Sequence, residues 1–157
     1  MAEGRILQAG RAKAYRPLPL GSRRRAVRAG IAAYRRGDFF EAHELLEPAW
    51  MGTQDLAERE ALQGLIKLAA AYVHAVRGNP RGVVKNLDGA EARLRRALAD
   101  GSAPDVGIDI AALVEAIDAR RGALPRTAAP SDGRRSDPAL APVILAAVPP
   151  PDLVPLR

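Results

Sequence analysis

The chain has 157 residues, enough for one domain with a tail and a core that needs no covalent staple. It contains no cysteine, which excludes disulfides, zinc–thiolate sites, iron–sulfur clusters and thiol nucleophiles. The net charge of +6 is unevenly spread: residues 1–36 carry ten Arg or Lys against Glu3 alone, whereas residues 37–75 carry seven acids against Arg59 and Lys67.

A basic arm of this kind can contact phosphates, but an acidic stretch directly behind it gives self-contact or solvation as the plainer reading. Nucleic acid is therefore an unfavoured partner. Arg5, Arg11, Lys13 and Arg16 break up the N-terminal stretch, so it does not read as a secretory leader. The apolar run Val143–Val148 is far shorter than the ~20 residues that span a bilayer. The expectation is a soluble, cytoplasmic protein with no membrane partner.

In chain order, residues 1–21 hold Pro17, Pro19 and Gly21 without a sustained period and read as an extended arm. Ser22 is placed to cap a first helix from about Arg23 to Arg36, with Val27, Ile31 and Tyr34 on one face and Gly37 as the stop. Asp38 with Glu41 has the spacing of a capping box and opens a second helix that runs to about Met51. Pro48 should kink that helix or disturb its last turn. The third helix, about Leu56–Arg77, has a continuous apolar face of Leu62, Leu65, Ile66, Ala69, Tyr72, Val73 and Val76.

Gly78 ends the third helix, and Asn79 followed by Pro80 starts a fourth. Asp109 caps a short fifth helix carrying Ile110, Leu113, Val114 and Ile117. Residues 122–157 are rich in Pro, Ser, Asp and Arg and read as a loosely ordered tail, leaving 22–121 as the helical domain. The turn at Gly37-Asp38 recurs 41 residues later as Gly78-Asn79, a spacing typical of helical-hairpin repeats. The expected fold is all-α: a compact five-helix bundle of two tetratricopeptide-like hairpins plus a capping helix, an extended N-terminal arm and a Pro-rich C-terminal tail.

Two segments carry candidate chemistry. In His43-Glu44-Leu45-Leu46-Glu47 the histidine and Glu47 lie one turn apart at the rim of the apolar arc. The string looks like a zincin motif whose second histidine is replaced by glutamate. It offers His43 and Glu47 as ligands for a divalent metal, with Glu44 as general base. On the third helix Gln63 and His74 stand three turns apart on one stripe with Lys67. If the second helix packs against that stripe, His43, Glu47, Gln63 and His74 form one polar cluster, and His74 becomes a third metal ligand. The plainer reading of the same four residues is a buried network that fixes helix register.

The combination of a glycine turn, Phe39-Phe40, Glu41-Ala42-His43-Glu44, Leu46-Glu47, Trp50, Gln63-Gly64-Leu65-Ile66, Ala69–Ala71, His74 and Gly78-Asn79 resembles a bacterial and archaeal family known only as domain of unknown function 309. The resemblance covers about residues 24–99, with Pro48 and Val83 departing from its pattern. It implies a compact helical bundle and no established activity; Glu41, Trp50, Gly37, Gly64 and Gly78 are expected in structural roles.

With no complete catalytic set, the expected function is a non-catalytic module that binds a protein or peptide, its apolar tail segment Ala139–Val148 docking on a groove or on a second copy in a homo-oligomer. A metal-binding protein or metal-dependent hydrolase is the alternative, with a divalent metal as its cofactor. A nucleic-acid accessory protein acting through the Arg-rich N-terminus is the third.

Overall fold

The computed structural model describes residues 5–8, 11–101, 103–124 and 136–157, with side chains from Tyr15 onward. The body is all-helical. Strands β1 (Arg5–Gln8) and β2 (Arg11–Ala14) precede it as a small antiparallel hairpin, Arg5 opposite Ala14 and Gln8 opposite Arg11. The arm expected to be merely extended is therefore paired along these eight residues, through backbone bonds that leave no side-chain signature.

Helix α1 spans Leu20–Arg35, α2 Phe39–Met51, α3 Leu56–Val76, α4 Pro80–Ala97 and α5 Ile110–Arg120. After a 3-10 turn at Pro138–Leu140, a sixth helix, α6, spans Ala141–Ala147. Among the described residues the count is six, one more than the sequence suggested.

The two glycine turns are built alike. Gly37 (φ 81°) donates to the Tyr34 carbonyl while Asp38 N–H reaches Ala33; Gly78 (φ 72°) donates to Ala75 while Asn79 N–H reaches His74. Both are Schellman closures, which need a residue at positive φ and so favour glycine. They also explain why the expected capping box is absent. The Asp38 N–H is already committed to Ala33, and the Glu41 carboxylate pairs with Arg36 instead. Asn79 and Asp109 cap as expected, accepting from Gly82 and Ala112, and Asp55 caps α3 through Glu58 N–H. Ser22 does not cap: α1 begins earlier, after Pro19, so Ser22 lies in the first turn and accepts from Arg25. Helix α2 runs unbroken through Pro48.

Helices α1 with α2 and α3 with α4 form two hairpins, and α2 also packs on α3. Each hairpin closes on a glycine. A Cβ at Gly30 would lie 2.6 Å from Leu46 Cγ, and one at Gly64 would lie 2.6 Å from Leu94 Cγ. The leucine of the second helix in each pair therefore rests directly on the backbone of the first.

Helix α3 is the centre. Ala61 to Ile66 are all buried, and so are Leu68, Ala69, Ala71, Tyr72 and Ala75. Helix α5 is fixed to α4 by Arg121, which bonds Asp88 and the buried Glu91. Those bonds hold its guanidinium pKa above the ordinary value.

Residues 136–157 are not the loose tail that composition suggested. Helix α6 packs on α3, and Ile144, Val148 and Leu153 are as buried as the rest of the core. The segment behaves otherwise than its composition because these three apolar residues meet the body, while Val143, Val154 and Leu156 stay exposed. Burying each contributes about 1.5–3 kcal/mol.

Substituting Gly64→Ala should force Leu94 and the neighbouring Ala90 carbonyl apart. We expect a loss of about 1–3 kcal/mol in denaturant unfolding, with the helical circular dichroism unchanged.

Candidate functional site

The sequence-derived cluster divides into separate places. On α2, His43 and Glu47 are half-buried and Glu44 is exposed; one ligand atom from each lies within 4.8 Å of the others. Helical geometry brings them together, because positions i, i+1 and i+4 share one turn. His43 Nδ1 stands 3.3 Å from a Glu44 carboxylate oxygen. Glu44 and Glu47 also line a cleft of about 640 Å³ shared with Arg16, Pro17, Leu18, Pro48 and Met51. The residues ahead of α1 are held at this cleft by backbone bonds from Arg16 to Met51 and from Leu18 to Gly52.

His74 is elsewhere. Its ring lies over Gly82 of α4, where an added Cβ would come within 2.4 Å of Cγ, and its Nδ1 is 3.1 Å from the Asn79 side-chain amide. Among the described residues, the grouping of His, Asp and Glu able to surround a cation is His43, Glu44 and Glu47, without His74. The expected convergence of His43, Glu47, Gln63 and His74 therefore gives way to an α2 cluster and an α3–α4 seam. The stripe bearing His74 turned toward α4 because Gly82 and Gly89 leave room there for large side chains from α3. Lys67 packs on Gly89 just as His74 packs on Gly82.

Gln63 is buried, and its amide nitrogen has no hydrogen-bond partner. An unpartnered buried donor costs roughly 1–3 kcal/mol. Burial lowers the His74 pKa, and Arg77 and Lys85 lower it further. Burial likewise lowers that of Lys67, helped by Arg93 and Lys85. Both groups sit in a locally cationic seam.

A third place was not anticipated from the sequence. Tyr34 at the end of α1, Phe39 at the start of α2 and Tyr72 on α3 form an aromatic shelf. Ring centroids are 5.4 Å apart for Tyr34–Phe39 and Phe39–Tyr72, and 6.4 Å for Tyr34–Tyr72. Burial pushes both tyrosine pKa values up, and for Tyr34 the neighbouring Tyr72 adds to it. Both therefore stay protonated and can donate.

What they donate to is the chain's own proline run. Tyr34 OH reaches the Pro151 carbonyl at 2.8 Å and Tyr72 OH reaches that of Pro149 at 3.1 Å. Arg120 also donates to Pro149 and Arg35 to Leu153. Carbonyls 149, 151 and 153 thus face the body in alternation. Beyond them Asp109 N–H bonds Val154, Leu156 N–H bonds Gly107, and Ile108 bridges Pro155. The sequence signal was present in the Pro149-Pro150-Pro151 run and in the two aromatics flanking the Gly37 turn, but Tyr72 is remote from both.

Two stacked helical hairpins, with a carboxylate–imidazole cluster on one helix and an extended segment seated on an aromatic shelf, define a small helical-hairpin domain. Residues 27–86, the stretch from α1 into α4, match the model of the family described as Domain of unknown function (DUF309). No curated protein and no solved structure matches the chain. No helix among the described residues is long and apolar enough to cross a membrane.

Because the folded His74 pKa lies below its unfolded value, protonation favours the unfolded chain. The stabilisation is complete above the unfolded pKa of about 6.5 and declines as pH falls through it toward the lower folded value. Denaturation midpoints at about pH 8 and about pH 6 should differ more for the wild type than for His74→Gln. Equal differences in the two proteins would exclude this source.

Proposed function

We propose that this chain is a non-catalytic interaction module that holds an extended peptide across the shelf of Tyr34, Phe39 and Tyr72. The observation behind this reading is the pair of tyrosine hydroxyls donating to prolyl carbonyls of a seated segment. Prolines lack an N–H, so their carbonyls have no intrasegment donors nearby, and a surface offering donors over aromatic faces suits them. Recognition through main-chain carbonyls supplies affinity, while pockets for alternate side chains supply selectivity. The two hairpins would then work as tetratricopeptide-like units, with the α1–α2 turn forming one wall of the groove. A reducing cytoplasm is the compartment that suits a cysteine-free chain.

Peptide display against the full-length chain, followed by resonance mapping, tests this. Selected peptides should perturb Tyr34, Phe39 and Tyr72. Failure to select any binder, or perturbations confined to other faces, would sink the reading.

A second reading rests on the α2 cluster. One imidazole and two carboxylates on a single turn are a donor set for a divalent cation such as Mn²⁺, Fe²⁺ or Zn²⁺, with open positions toward the adjacent cleft. Bound there, such an ion would supply Lewis-acid activation of water. In this arrangement Glu44 serves as a ligand, no longer as the base that sequence spacing suggested, and His74 takes no part. Calorimetric titration with each metal alone should show one site in the wild type, weakened at least about tenfold in His43→Ala. Equal affinity in the two proteins would remove this reading.

A further inference from the structure

Resting on the interaction-module reading, we infer that the shelf's partner is a proline-rich segment of another protein, and that residues 148–155 are an intramolecular ligand competing with it. The seated segment defines the partner's chemistry. Val148, Pro151 and Leu153 are buried, while Asp152 and Val154 are exposed. The spacing from Val148 to Pro151 is one turn of a polyproline II helix, and Leu153 follows after the alternation that the strand-like pairing of Pro155 with Ile108 continues. The body reads this segment mainly through carbonyls 149, 151 and 153. Those contacts are open to any chain that can hold the same extended form.

The fit is incomplete. A cleft of about 540 Å³ remains between the segment and Tyr34, Arg35, Gly37 and Phe39, and Asp152 lines it. The Asp152 carboxylate there works against any negative charge on Tyr34 and contributes to raising its pKa. The chain's own segment therefore leaves apolar contact unused at this position. A partner with a large apolar side chain in place of Asp152 would fill the space.

Tethering decides who can occupy the shelf. A short tether gives the chain's own segment an effective concentration on the order of millimolar. A second copy carries the identical segment without that advantage and loses the competition at lower concentrations. A foreign segment wins only by binding more tightly, which the unfilled cleft permits. While the tether holds, the apparent affinity for any partner is reduced by the fraction of molecules with the shelf open.

The test uses full-length protein and a fluorescent peptide of residues 148–157, read by polarisation. The Leu153→Asp protein, whose own segment is weakened, should bind the peptide at least about tenfold more tightly than the wild type. A peptide carrying Asp152→Leu should bind both proteins roughly tenfold better than the native peptide. Alanine at 149–151 of the peptide, which keeps the carbonyls but loses the preorganised extended form, should weaken binding, and so should Tyr34→Phe with Tyr72→Phe in the Leu153→Asp background. If Leu153→Asp fails to fold by circular dichroism, Pro151→Gly takes its place, since it loosens the segment and leaves the shelf intact.

A folded releasing variant that binds no more tightly than the wild type would overturn the proposal. So would wild-type self-association abolished by Leu153→Asp, which would name a second copy as the occupant. Display-selected ligands on the shelf alongside silent proline peptides would refute the partner chemistry alone; an empty shelf in both experiments would refute the module reading as well.

Discussion

Everything in this molecule is arranged around a helix with almost no outside. Helix α3 receives α2, α4 and α6 at once, and its buried residues include the small Ala61, Gly64, Ala69, Ala71 and Ala75, which take up little room between neighbours. Close-packed interiors tolerate little spare volume, and the smallest residue on α3, Gly64, is matched by a large one opposite, Leu94. The first hairpin repeats the device with Gly30 and Leu46. Helix α4 reverses it at Gly82 and Gly89, accepting His74 and Lys67 from α3.

That reversal explains which parts of the molecule could be read from the sequence. The turns at Gly37 and Gly78 were legible because a helix stop followed by a cap is written in consecutive residues. The α2 cluster was legible for the same reason, since one helical turn fixes His43, Glu44 and Glu47 together. The direction of the His74 stripe was not, because two glycines on a different helix settle it. Helical periodicity reports which residues share a face and is silent about which neighbour the face will meet.

The C-terminal segment shows the complementary difficulty. Composition placed residues 122–157 among loose tails, yet Ile144, Val148 and Leu153 complete the core. Average hydropathy misses such a segment because a few well-placed anchors suffice when the prolines between them lose little conformational freedom on docking. Charge told a similar story. Basic residues at the two ends of α1 and the acids that follow meet in the ion pairs Arg23–Glu58 and Arg36–Glu41. Part of what looked like a phosphate-seeking arm is thus internal complementarity. The exposed pair contributes little to stability.

The bond from Tyr34 to Pro151 joins residues 117 positions apart, whereas the glycine-seated hairpins close over short separations. Loop-closure entropy grows only as the logarithm of length, so the distance costs little in equilibrium terms but delays the encounter. The two hairpins can therefore collapse on a fast local timescale, leaving the aromatic faces wet until the proline run arrives. In that interval the molecule is a nearly finished scaffold with a sticky seam, and the order of assembly itself determines how long the seam stays open.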